Sequence, residues 1–190
     1  MEERKERNII ILFVVAGCLV MGWIDGVLCP SYGVKSLAKV FLFLILPVLY
    51  CYLNRNISYR SLFFVNKKAL LFSILLGLGV YVFVIGAYFL IGPFFDFKNV
   101  TPALERNVGV NKNNFLWTAI YISFINSLLE EFFFRGFAFL TLYKMGRKRI
   151  AYYFSAGAFA LYHVAMMIGW FSWELFLLLL IGLFGAGLFF

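Results

Sequence analysis

The 190 residues are 64% hydrophobic, 21% aromatic and 14% charged, with 17 Lys and Arg against nine Asp and Glu. Soluble chains run near half apolar and roughly a quarter charged, and a soluble fold of this composition would leave large apolar patches in water. The composition excludes a globular cytosolic enzyme, a disordered chain and a disulfide scaffold, and leaves an all-α polytopic membrane protein.

A helix that crosses a bilayer needs about 20 mostly apolar residues. Six stretches of one transmembrane domain over residues 1–190 meet this: about 9–28, 36–53, 69–92, 115–140, 150–168 and 173–190. The first carries Asp25 late and is stopped by Pro30. Its Val15-Ala16-Gly17-Cys18 also fits a cleaved lipoprotein signal, but five later spans need no lipid anchor, so an uncleaved first span is expected. The second has Lys39 in its first turn, where a long stem lets the ammonium snorkel to the headgroups. The third is uncharged and contains Gly77, Gly79 and Gly86. A polar loop follows at 96–114, marked by Pro102 and Gly109. The fourth carries Glu130, Glu131 and Arg135, and the fifth holds His163, the one histidine. The sixth is still apolar at Phe190. Its 16 residues from Leu175 make about 24 Å of helix against a hydrocarbon core of about 30 Å, so the chain is expected to continue.

Basic residues set the orientation. Arg4, Lys5, Arg7, Arg55, Arg60, Lys67, Lys68, Lys144, Arg147, Lys148 and Arg149 fall on one side, and Lys35, Lys39, Lys98, Arg106 and Lys112 on the other. This asymmetry predicts a cytoplasmic N-terminus in the cell (plasma or inner) membrane and reads the positive charge as membrane-facing, with no nucleic-acid partner. Trp23, Trp117, Trp170 and Trp173 lie near span ends as interfacial anchors. Cys18, Cys29 and Cys51 show neither metal spacing nor a disulfide framework.

Ionisable groups inside a span cost several kcal/mol each and usually face a bundle interior. Glu131 and Arg135, four apart, are placed to pair. Glu130, about 100° further round, has no partner at that spacing. Ser123, Asn126 and Ser127 extend a polar seam along the same helix, which predicts that it faces protein or water; Asn126 and Ser127 read as interhelical hydrogen-bonders, and Asn126 is also expected to support the site. His163 lies on the next, antiparallel span. Counted from the connecting loop, Glu130 is about 15 Å deep and His163 about 18 Å, less than a helical turn apart. A carboxylate and an imidazole around one water form a general acid–base pair. The plainer readings are a structural Glu131–Arg135 pair and a histidine hydrogen-bonded within its helix; the matched depth favours chemistry at Glu130 and His163. One histidine leaves too few ligands for a typical catalytic zinc, no serine near His163 sits in a recognisable motif, and Asp25 and Asp96 lie at span ends. A metal-free mechanism needing no cofactor remains.

Glu130-Glu131-x-x-x-Arg135 followed by Phe159-x-x-x-His163 on the next helix resembles the CAAX protease and bacteriocin-processing family of glutamic intramembrane endopeptidases. The resemblance covers about residues 115–190. It implies hydrolysis of a peptide bond in a membrane-anchored or lipidated protein or peptide, with the bilayer as the other partner. It also implies that Glu130 activates water, that His163 stabilises the oxyanion, and that Glu131, Arg135 and Phe159 support the site. The family's third motif, His-x-x-x-Asn or similar, has no counterpart in these residues. Two other functions stay open: a non-catalytic immunity or sorting partner built on the same motifs, and a proton-coupled carrier, against which the lack of an inverted repeat weighs.

Overall fold

The computed structural model describes residues 2–54, 66–168 and 170–189; Arg55 and Arg60 of the basic count, and the terminal Phe190, lie outside them. Among the described residues every regular element is helical. Helix α1 runs from Glu2 to Trp23 and continues through a π-type turn, Ile24–Leu28. Cys29, with a left-handed φ of 42°, and Pro30 end it. Helix α2 (residues 32–53) leads back across, and α3 (Lys67–Ile91) starts at Asn66, whose side chain accepts from the Lys68 N–H. Next come α4 (Val100–Val108), α5 (residues 115–144), α6 (Lys148–Met167) and α7 (Trp173–Phe189).

The stretch expected as plain loop thus contains a helix. Pro102 lies in its first turn, where a missing N–H costs nothing, and Gly109 closes it with a φ of 71° while donating to the Glu105 carbonyl. The residues that marked a loop in the sequence are the start and stop of α4.

Four helices are long and apolar enough to cross a bilayer: Arg4–Leu28, Tyr32–Leu53, Leu70–Phe94 and Lys148–Met167. Helix α7 is shorter, and α5 carries three charges within six residues.

Helices α1, α2, α5 and α6 surround the core. Helix α2 runs parallel to α5, so that Lys39, Phe43 and Tyr50 meet Glu130, Phe133 and Phe137 in order. Helix α6 returns antiparallel to α5 through the basic turn at 145–147, where Gly146 takes a φ of 74°. Lipid tails are as apolar as leucine, so apolar side chains gain little by leaving lipid; close packing and interhelical hydrogen bonds must hold the helices together. The core accordingly is a set of interlocked rings. Phe43 stacks on Phe133 at 4.1 Å between centroids, and Phe134 and Tyr162 meet Phe43 edge-on. Gly17 lets α1 approach this layer; a Cβ there would lie 3.0 Å from Phe133 Cζ. Ser155 Oγ donates to the Phe134 carbonyl at 2.7 Å and ties α6 to α5. By contrast α3 has no polar face and no buried residue among those described, and nothing lies within 4 Å of a Cβ built on Gly77, Gly79 or Gly86.

Helix α7 packs on α6 through a backbone approach at Gly187. A Cβ there would lie 2.8 Å from Ala156 Cα, whereas one at Gly185 would meet nothing. Gly187→Ala should therefore destabilise the protein by about 1–3 kcal/mol through overpacking. Gly185→Ala should be neutral or slightly stabilising, since alanine is the better helix former by about 1 kcal/mol. Unfolding of both variants in the same detergent checks the contrast.

Candidate active site

Glu130 closes a short α-wound stretch, Ser127–Glu130, between two π-wound stretches of α5, Tyr121–Asn126 and Glu131–Leu140. Wider turns re-aim the side chains around them and recur at functional sites. Ser127 Oγ here donates to the carbonyl of Ile122, five residues back, at 3.1 Å. The seam read from the sequence divides into two rows about 60° apart on the helix. Asn126 is half-buried and Glu130 buried in the bundle, while Ser123, Ser127 and Glu131 are exposed. The interhelical hydrogen bond expected of Ser127 is therefore corrected, since its hydroxyl bonds within its own helix: at three- and four-residue steps both rows share one stripe, and only the Asn126–Glu130 row meets α2.

A second correction concerns Lys39. It does not snorkel. Its side chain is 6% exposed and its Nζ lies 2.9 Å from Glu130 Oε1. The same ammonium donates to Asn126 Oδ1 at 2.6 Å, and Asn126 Nδ2 donates to Glu130 Oε1 at 3.1 Å. Glu130 therefore has a counter-charge on another helix, 91 positions away. Spacing rules within one helix cannot register such a partner.

Glu130 Oε2 faces His163 Nε2 at 3.8 Å, longer than a direct hydrogen bond. On the far side of the ring, Nδ1 is 2.8 Å from the Phe159 carbonyl. A carbonyl oxygen only accepts, so this bond puts the proton on Nδ1, and in the neutral ring Nε2 presents its lone pair. With the ring neutral, two acceptors face each other, an arrangement that one water joins by donating an O–H to each.

Phe159 links the remaining predicted residues. Its ring lies edge-on to His163 at 4.6 Å and under the Arg135 guanidinium at 4.2 Å. A cation over a ring face is held by the ring quadrupole, more strongly when desolvated. Arg135 Nε is 3.7 Å from Glu131 Oε2, and Glu131 is half-exposed. Glu131 and Arg135 are thus brought together beside the site, and Arg135 reaches His163 only through Phe159.

A cavity of about 390 Å³ adjoins the Lys39–Asn126 edge, lined also by Asp25, Tyr32, Lys35 and Trp170. Trp170, read as an interfacial anchor, instead lines this cavity and has its Nε1 buried without a hydrogen-bond partner among the described residues. Asp25 and Lys35 pair across its wall at 3.6 Å. An apolar groove of about 590 Å³ runs between α1 and α6, past Cys18, Gly22, Gly157 and Leu161. It shares Ala165 and Ile168 with the polar cavity.

The Lys39–Glu130 pair yields a stability test. Removing one member of a buried pair strands the other charge and costs about 3–5 kcal/mol, whereas removing both is often neutral. Lys39→Met should cost that much, and Lys39→Met combined with Glu130→Gln should recover most of it. A double-mutant cycle by unfolding in detergent measures the coupling.

Residues 112–190 match the family described as type II CAAX prenyl endopeptidase Rce1-like. The matched stretch contains Glu130, Glu131, Arg135, Phe159 and His163; Lys39 lies outside it. No curated protein and no solved structure matches the chain. The family supports an intramembrane protease. The C-terminal part of the chain, residues 112–190, is thus similar to the CAAX prenyl endopeptidases, and the described residues hold four helices long and apolar enough to cross a membrane.

Proposed function

We propose that the protein hydrolyses a peptide bond of a membrane-anchored or lipidated protein or peptide, using water activated by Glu130. The observation that carries this reading is the approach of Glu130 Oε2 to His163 Nε2, 3.8 Å apart in the bundle, which are two facing acceptors when the imidazole is neutral. A water between them gives one O–H to each and turns its oxygen lone pair away from both. As that oxygen bonds to the scissile carbonyl carbon, one proton passes to Glu130 Oε2 and the second stays on the new hydroxyl, held by His163 Nε2. The C–N bond breaks as Glu130 returns its proton to the leaving nitrogen, giving a carboxylic acid and an amine. His163 thus orients the water, and Phe159 fixes the tautomer that lets it do so. Metal-free chemistry suits this carboxylate, since a divalent cation at Oε1 would meet the Lys39 ammonium.

The surroundings support an amphipathic substrate. The polar cavity beside Lys39 would take the peptide portion and the groove between α1 and α6 the apolar portion, the two meeting at Ala165 and Ile168. In this reading six spans form one transmembrane domain in the cell membrane. The N-terminus is cytoplasmic, so the polar cavity, at the end of α1 and start of α2, lies toward the outer face. Glu131 and Arg135 hold Phe159 in place and take no part in proton transfer.

Glu130→Gln should lower cleavage by the folded protein by about 10²–10⁴-fold, the usual worth of a positioned general base, a loss separate from the stability cost of stranding Lys39. His163→Leu should cost a comparable factor, and Glu131→Gln far less. The assay is release of a fluorophore from a quenched peptide ending in a prenylated Cys-aliphatic-aliphatic-X, with the protein in nanodiscs. Cleavage by Glu130→Gln at the parent rate would sink the mechanism.

A further inference from the structure

We infer that Lys39 is a positioning residue for the reaction: with Asn126 it holds Glu130 Oε1, which leaves Oε2 as the one oxygen of that carboxylate turned to His163 and the attacking water. The inference rests on the reading of Glu130 as the base and assigns a role to a helix outside the family match.

A carboxylate has two equivalent oxygens and turns easily about its last bond. A base that must take a proton from one defined point gains if that rotation is stopped beforehand. Two side chains stop it here, through three hydrogen bonds. Lys39 Nζ donates to Glu130 Oε1 at 2.9 Å and to Asn126 Oδ1 at 2.6 Å, and Asn126 Nδ2 donates to the same Oε1 at 3.1 Å. The three bonds close a triangle, so Oε1 cannot swing away without breaking two at once. The triangle also settles the Asn126 amide, because Oδ1 must face the ammonium and Nδ2 the carboxylate.

Lys39 is itself held. The faces of Tyr162 and Phe43 lie 5.1 and 5.9 Å from Nζ, within range of a cation–ring attraction. Tyr162 adjoins His163 on α6, with the rings edge-on at 5.1 Å. The ammonium is therefore packed between the helix that carries the base and the one that carries the imidazole. Charged groups of the neighbouring elements are otherwise engaged: Asp25 with Lys35 across the cavity, and Glu131 with Arg135 on the outer row.

Two measurements test this, and they fail separately from the proposed mechanism. The first is kinetic, with the quenched prenylated peptide and full-length protein in nanodiscs. Lys39→Met should lower kcat by about a hundredfold, the effect of misplacing a catalytic group by about 1 Å, with KM unchanged within about threefold. Lys39→Arg, which keeps a cation and two donors, should recover at least a tenth of the parent kcat. A folded Lys39→Met with parental kcat overturns the inference, and so does a loss that appears in KM alone. Where Lys39→Met does not hold its fold, Asn126→Leu removes one donor to Oε1 without stranding a charge and should still lower kcat.

The second measurement needs no substrate. His163 is the only histidine, so nitrogen-15 histidine labelling gives one ring. The parent should show a protonated Nδ1 and an unprotonated Nε2. Lys39→Met should move the Nε2 resonance, because Glu130 Oε2 is no longer held opposite it, and leave Nδ1 in place. An Nε2 resonance indifferent to Lys39 overturns the inference even if Glu130 proves to be the base. If Glu130→Gln still cleaves the peptide, the mechanism fails on its own, and with it the catalytic meaning of Lys39.

Discussion

The whole arrangement depends on one buried ion pair. A charge taken out of water into a low-dielectric interior costs several kcal/mol, and attraction offsets this only where geometry is close and the remaining hydrogen-bonding positions are filled. Lys39 and Glu130 meet at 2.9 Å, and Asn126 completes the set. That requirement sets the register of α2 against α5. Once Lys39 is level with Glu130, Phe43 falls against Phe133 and Tyr50 against Phe137. The polar contact determines where the helices meet, and the rings below it determine how closely.

Rigidity at His163 comes from a second set of contacts with little charge in it. Phe159 touches the site three times: its carbonyl accepts a hydrogen bond from Nδ1–H, its ring meets the imidazole edge-on, and its face carries Arg135. This explains why the paired acidic residues occupy such different surroundings. Glu130 is buried between α2 and α6, while Glu131, rotated by one residue, stays half-exposed and reaches only Arg135. Adjacent side chains on a helix point in different directions, so a doubled glutamate gives one residue to the cavity side and one to the support.

Much of this was legible in the chain. Apolar runs marked the helices, and equal distance from a short basic turn put Glu130 opposite His163, because antiparallel neighbours with a tight connection share a depth scale. The four-residue step marked Glu131 with Arg135. The rest depends on partners distant in the chain or on local signals with two meanings. Lys39 stands alone near the start of an apolar run, and nothing within one helix distinguishes a lysine bound for the headgroups from one bound for a carboxylate 91 positions later. Helix α4 was hidden because Pro102 and Gly109 signal a loop as readily as a helix start and stop. Asn126 stood out from Ser123 and Ser127 only once α2 was in place to select a row.

The pairing of Lys39 with Glu130 also bears on how the chain enters a membrane. Helices are inserted in order, and α2 would arrive with an unmatched ammonium well before α5 brings the carboxylate. Each charge near the middle of a lone helix costs insertion about 2.5–3.5 kcal/mol. Lys39, near the N-terminal end of α2, can wait at the interface with its long stem extended. Glu130, with 15 helical residues before it and 14 after it in α5, has no such refuge. Docking α2 against α5 therefore neutralises both charges at once, so that each segment supplies what the other needs to be buried.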